Sequence, residues 1–168
     1  HRTGLYPIPL PSGIGLEACG VIEKIGSDVK LFKIGDRVSH ASMPIGAYSE
    51  KQILPEEKLV IVPEGVSNEV ASCITLKGIT AEYLLNRAYK LKKGDKVLYH
   101  AAAGGLGQIL CSWANALGAE VIGTVGSKSK EQIAKKNGCH HVINYSEKNF
   151  VEEIEKIVGK NSIDVVYD

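Results

Sequence analysis

Apolar positions recur in two different rhythms along this chain. Between residues 17 and 62 they come as short runs broken by turn residues. Val21, Ile22 and Ile25 lead into Gly26-Ser27-Asp28, and Phe32 and Ile34 lead into Gly35-Asp36-Arg37, after which Val38 resumes. Residues 47–54 and 59–62 continue the series, the last run closed by Pro63-Glu64-Gly65. Short strands with turn signals at this spacing predict a small barrel or sandwich. The opening stretch, with Pro7, Pro9, Pro11, Gly13 and Gly15, predicts an irregular loop.

After residue 66 the period lengthens. Ser67 is placed to cap a helix that carries Val70, Ala71 and Ile74 on one face and Glu69 in its first turn, and residues 80–89 continue as helix through Tyr83, Leu84 and Ala88. Strands then alternate with helices. Strands are expected at 97–100, 120–125, 141–144 and 163–167, and helices at 105–117, 129–137 and 147–158. Gly138 and Gly159 serve as helix stops. Alternation with short links predicts a parallel sheet covered on both faces. The fold class is therefore α/β in two parts, a β-rich part over residues 1–76 and a doubly wound part over 77–168.

The stretch Ala101 to Gly107 carries the candidate chemistry. It follows the apolar run Val97-Leu98-Tyr99 and opens a segment with helical periodicity (Leu106, Ile109, Leu110, Trp113, Ala114, Leu117). A strand, a glycine turn and a helix N-terminus in that order form an anion cradle, because backbone N–H groups and the helix dipole converge on it. Gly104 lets the backbone approach a diphosphate, and Gly107 lets the helix pack closely on its strand. One position departs from the dinucleotide fingerprint: its first glycine is Ala102.

The second strand of the pair points to the cofactor. NAD binders place an acidic residue about 20 positions past the fingerprint to take the ribose hydroxyls. Here that place holds Thr124-Val125-Gly126-Ser127-Lys128-Ser129-Lys130, with no carboxylate before Glu131, while Glu120 sits at the wrong end of the strand. Hydroxyls and ammonium groups suit a 2′-phosphate, so NADPH is expected, with Ser127, Lys128 and Lys130 as candidates.

Composition narrows the class. A net charge of +1 with no basic stripe predicts no nucleic-acid partner, and no apolar run is long enough to span a bilayer. Cys19, Cys73, Cys111 and Cys139 are scattered without metal spacing; three lie in apolar or small-residue settings, where buried free thiols are expected, and a cytoplasmic location follows as the expectation. The chain opens at His1 and stops at Asp168 directly after a strand, which reads as an internal piece of a longer protein.

Motifs along nearly the whole chain resemble the zinc-free NADPH:quinone oxidoreductase (zeta-crystallin-like) branch of the medium-chain dehydrogenase/reductase superfamily. They include Gly4-Leu5-Tyr6-Pro7, Glu17-Ala18-Cys19-Gly20, Gly35-Asp36-Arg37-Val38, Gly46-Ala47-Tyr48, Leu76-Lys77-Gly78-Ile79-Thr80, His100 to Gly107, Gly123 to Gly126, Ile143-Asn144-Tyr145 and Val165 to Asp168. The resemblance implies a partial GroES-like substrate domain and a partial Rossmann domain, with further family strands before His1 and after Asp168. It places Lys130 at the 2′-phosphate and Tyr145 at the adenosine end of the same pocket. Ala103, Gly104, Gly105 and Leu106 fall in the diphosphate loop, Thr80 beside the nicotinamide carboxamide, and Tyr6 at the quinone. Plainer roles compete: a strand-end residue for Tyr145, a helix N-cap for Thr80, loop packing for Tyr6.

The same resemblance bears on metal. Zinc-dependent relatives carry Gly-His-Glu where this chain has Gly15-Leu16-Glu17, so no zinc is expected and Glu17 is read as structural. The implied activity is hydride transfer from NADPH to a quinone, with an enone, 2-alkenal or enoyl thioester as the alternative acceptor. Family side chains that assist at the substrate oxygen lie upstream of His1, so the piece alone is expected to be inactive. A non-catalytic NADPH-binding role, structural or RNA-binding, is the alternative of another class, and family dimers imply a homodimer for the full-length form.

Overall fold

The computed structural model describes Leu5 and residues 7–168. Tyr6 lies outside the described residues. The chain divides into two compact units, residues 1–76 and 77–168.

In the first unit, β1 (Glu17–Val21), β2 (Arg37–Ala41) and β3 (Val60–Ile61) form an antiparallel sheet in the order β1-β2-β3. Ala18 faces His40 and Val38 faces Ile61 across the ladders. The central strand buries Val38, Ser39 and His40. Arg37 fastens this strand to the start of the first long helix and the residues just before it. Its guanidinium donates to Asn68 Oδ1 at 3.0 and 2.9 Å and to Val66 O at 2.6 Å. The strand expected over 47–54 does not form. Residues 46–48 spend their N–H groups on the loop before β1, with Gly46 and Ala47 donating to Gly15 O and Tyr48 to Ile14 O. No ladder partner among the described residues remains for the rest of that run.

Helix α1 (Asn68–Glu82) begins at the expected cap, with Ser67 Oγ accepting from Val70 N at 3.3 Å. It runs unbroken through Gly78 and Thr80, so Thr80 lies inside a helix and is not an N-cap. The chain then widens into a π-helical turn, Tyr83–Ala88, rather than continuing as α-helix to residue 89. Tyr167 donates its hydroxyl to Leu84 O at 2.7 Å and so satisfies a carbonyl in this turn.

The second unit is built on β4 (Lys96–Tyr99), β5 (Glu120–Val125), β6 (His141–Asn144) and β7 (Val165–Tyr167), all parallel, in the order β6-β5-β4-β7. Helices α2 (Gly105–Ala116), α3 (Lys128–Lys136) and α4 (Phe150–Val158) connect them. Side-chain alternation sorts the core into two faces. Val97, Tyr99, Val121 and Val125 join Leu110, Cys111 and Ala114 of α2 and Ala134 of α3 in one apolar cluster. Leu98, Ile122 and Ile143 point the other way, onto Ile154, Phe150 and Val158 of α4. A fully buried leucine such as Leu110 contributes about 1.5–3 kcal/mol through its removal from water.

Helix α4 starts three residues later than its apolar period predicts. Glu147 N and Lys148 N both bond to Asn144 O, which holds that stretch in a turn, and Asn149 Oδ1 accepts from Val151 N at 3.1 Å as the cap. Of the four cysteines only Cys111 and Cys139 are buried; Cys19 is half-buried and Cys73 exposed, and all four are free thiols. A hydrogen bond with Cys139, together with burial, pushes the Cys111 thiol far above the usual range. Cys111 is therefore a core side chain and not a nucleophile.

Candidate functional site

The strand order makes β4 the switch point of the parallel sheet. From β4 the chain steps through α2 to β5 and on to β6, then returns through α4 to β7 on the opposite side of β4. Ligands of open α/β sheets bind at the carboxyl ends of the strands beside such a reversal. Here that end of β4 feeds directly into the glycine turn.

Three contacts set the turn. Ala102 N donates to Thr124 O at 3.0 Å, anchoring the turn to β5, and Gly104 N donates to Ala101 O at 2.8 Å. Ala101 takes a φ of 56°, in the left-handed region that non-glycine residues rarely adopt. The first intrahelical bond of α2 runs from Gln108 N to Gly104 O at 3.0 Å, so the N–H groups of Gly105, Leu106 and Gly107 open the helix ahead of it. The cap, Gly104, has no side chain to occupy them, and the first turn of α2 holds no acidic residue. Gly107 has no room for more than hydrogen: a Cβ there would lie 2.6 Å from Ala102 O and 2.7 Å from Ala101 O.

Two neighbouring loops complete the edge. After β5, Gly126 leads to Ser127, the N-cap residue of α3, whose Oγ lies 3.1 Å from Ser129 Oγ. Lys128 and Lys130 are exposed in the first turn of α3. After β6, exposed Tyr145 crosses over Gly126, where a Cβ would meet its hydroxyl at 2.5 Å. Ser146 Oγ donates to Gly126 O at 2.9 Å, tying the two loops together. Ala103, Gly104, Gly105, Leu106, Gly107, Gly126, Ser127, Lys130 and Tyr145 thus all stand on loops or helix starts that follow the carboxyl ends of β4, β5 and β6. Thr80 is carried by α1 and not by one of these loops.

Two acids weighed in the sequence have partners. Glu120, at the start of β5, pairs with His141 Nε2 at 3.0 Å. Glu17, in the first unit, accepts from Leu76 N at 2.6 Å, a structural contact. Two features escaped the sequence reading. His100 Nδ1 lies 2.9 Å from the hydroxyl of fully buried Thr124, bracing the turn from below. Lys77 lays its aliphatic end against Gly105.

The residues present do not suit a catalytic zinc. The buried polar group that invites one is His40, whose two ring nitrogens lack hydrogen-bond partners. Among the described residues, however, no three His, Cys, Asp or Glu side chains come together as a ligand set. Likewise, no helix among the described residues is long and apolar enough to cross a membrane.

A family description for the alcohol dehydrogenase GroES-like domain matches residues 1–90, and one for the zinc-binding dehydrogenases matches residues 105–168. The chain belongs to the medium-chain dehydrogenase/reductase superfamily. Its relatives include quinone oxidoreductases and a 2-haloacrylate reductase. It is 47% identical over 169 residues to the quinone oxidoreductase of Pseudomonas aeruginosa, a match over 100% of this chain and 52% of that protein. It is 46% identical over 175 residues to a 2-haloacrylate reductase from a Burkholderia species, again over 100% of this chain and 52% of the relative. Among solved structures, the Escherichia coli quinone oxidoreductase complexed with NADPH superposes with a TM-score of 0.94 at 49% identity, over 99% of this chain and 52% of that one. The chain spans about half the length of the curated relatives it matches. The fold is the superfamily's pairing of a GroES-like β-rich part with a Rossmann sheet.

Proposed function

We propose that this chain supplies the nucleotide-binding half-site of an NADPH-dependent, zinc-independent quinone oxidoreductase. The observation that carries the reading is the uncapped, acid-free helix start of α2 at the switch point of the sheet, next to a serine- and lysine-bearing loop with no carboxylate. In this reading the N–H groups of Gly105, Leu106 and Gly107 hold the diphosphate, with Ala103 and Gly104 shaping the turn. Lys130 and Ser127 take the 2′-phosphate, and Tyr145, braced on Gly126, lines the adenosine end. Thr80 orients the carboxamide and Tyr6 borders the acceptor. Residues 1–76 then form part of the substrate domain and residues 77–168 part of the nucleotide domain.

When bound, the reduced nicotinamide supplies a hydride. The chain's own contribution is to bind, orient and exclude water, and among the described residues no three His, Cys, Asp or Glu side chains gather as a metal-ligand set. Leu16, at the position of an imidazole in zinc-dependent relatives, removes the means of holding an alkoxide on a metal. A homodimer in the cytoplasm is the expected setting, in keeping with four free thiols.

The 2-haloacrylate reductase relative favours a second reading in which the acceptor is an activated alkene. The two are separated by following NADPH oxidation with a para-quinone and with a 2-alkenal or haloacrylate side by side, in a form of the protein extended to the length of its relatives. Faster turnover of the quinone is expected. Preference for the alkene would move the protein to the second reading, and NADPH binding with neither turnover would favour a non-catalytic role.

A further inference from the structure

Ala101 opens the glycine turn with a φ of 56°, while Ala102, which stands at the first fingerprint glycine, has no positive φ. A left-handed backbone crowds Cβ against the following carbonyl, so an alanine keeps it only where its surroundings hold it there. The other described non-glycine residue at positive φ is Asn161, a type whose short polar side chain tolerates that region. Alanine has no such side chain, and its support comes from its neighbours.

Both residues that flank Ala101 are fastened to Thr124. Ala102 N donates to Thr124 O at 3.0 Å, and His100 Nδ1 lies 2.9 Å from Thr124 Oγ1, within hydrogen-bond distance. One residue of β5 thus fixes the turn on each side of its strained position. Thr124 is fully buried, so its hydroxyl cannot exchange the ring for bulk water. His100 is itself held on two further sides. Its backbone N–H donates to Tyr167 O at 3.0 Å, and its ring stands perpendicular to that of Phe150, with centroids 5.3 Å apart.

We propose that His100 is a positioning residue of the nucleotide site: with Thr124 it clamps Ala101 in the left-handed conformation that shapes the diphosphate turn. The tight turn that a fingerprint glycine adopts without strain is held here by a side-chain clamp around an alanine. The inference rests on the NADPH reading above. His100 acts through the backbone of the turn and not by contact with a phosphate. Without the clamp Ala101 relaxes, the binding-competent turn becomes a minor state, and affinity falls in proportion to its population.

Titration of the chain with NADPH and with adenosine 2′-monophosphate, which lacks the diphosphate, tests the clamp. H100L should weaken NADPH by about tenfold, the upper range for one hydrogen bond, and leave adenosine 2′-monophosphate unchanged. T124V, which keeps the shape of the threonine, should cause a similar loss, and H100L/T124V should lose no more than either alone. H100N, whose amide can stand in for Nδ1, should recover affinity. The decisive variant is H100L/A101G. Glycine takes the left-handed conformation freely, so most of the NADPH affinity should return although Thr124 still lacks the ring. Full NADPH affinity in H100L and T124V, or a loss in H100L that A101G does not relieve, would overturn the clamp and leave the cofactor reading standing. An equal loss of adenosine 2′-monophosphate would make His100 a general support of the fold and overturn the clamp as well. If wild type does not bind NADPH at all, the cofactor reading itself fails and the clamp with it.

Discussion

Gly107 and Gly78 are both helical glycines, yet alanine at the two positions should move stability in opposite directions. Gly78 lies inside α1 with nothing within 4 Å of the place a Cβ would take. Alanine there gains helix propensity of about 0.5–1 kcal/mol. At Gly107 a Cβ would stand 2.6 Å from Ala102 O, 2.7 Å from Ala101 O and 2.8 Å from Ala102 C. All three are backbone atoms, and Ala102 is pinned by its bond to Thr124 O. The turn would have to withdraw by about 0.6–0.8 Å to restore an ordinary 3.4 Å contact. Overpacking of this kind costs about 1–3 kcal/mol. Helix propensity returns at most about 1 kcal/mol, so even with that full return the net loss reaches about 2 kcal/mol at the upper end of the overpacking range. Trp113, the single tryptophan, lies on α2 and packs against the core of the same unit, so its fluorescence during urea unfolding reports on that unit. G107A should lower the midpoint and weaken NADPH binding, whereas G78A should raise the midpoint. A G107A variant as stable as wild type with its nucleotide affinity intact would refute the reasoning, because the turn would then have room that the geometry denies it.

Two further outcomes are expected. G126A should displace the hydroxyl end of exposed Tyr145 and destabilise the second unit by less than about 1 kcal/mol, and adding Y145F should recover part of that loss. Additive effects in the double variant would show that the two residues do not touch. His40, only 5% exposed, is held by burial below its usual 6.5, against the opposing influence of nearby Gln52 and Glu17. The unfolded chain therefore takes up a proton at a higher pH than the folded one. Stability should be full above 6.5 and fall as the pH drops through it. H40L should flatten that dependence when urea midpoints are measured by circular dichroism on either side of 6.5.

The nucleotide half was the more legible in the sequence. The strands and helices around the glycine turn are long enough to show their period, and each is bounded by a glycine or a cap. Helix α3 and strands β5 and β6 lie within a residue of their expected places. The β-rich half was harder, because a strand is defined by its partner. Residues 47–54 lie between turn signals as a short strand would, yet the N–H groups of Gly46, Ala47 and Tyr48 go to the loop at Ile14 and Gly15. The π-helical turn at Tyr83–Ala88 left no mark in the apolar period, since the tyrosine that satisfies it comes from β7. Lys77 was visible inside a motif, but its place beside Gly105 depends on a contact 28 positions away in the chain and on no local pattern.

The central claim is that the loop after β5 selects the phosphorylated dinucleotide. Parallel titrations of the chain with NADPH and NADH, followed by quenching of Trp113, test it most directly. The account predicts that NADPH binds at least about tenfold more tightly, the worth of a charge-assisted phosphate contact, and that K130Q erases most of that preference. Equal affinity for the two nucleotides, or tighter binding of NADH, would contradict it.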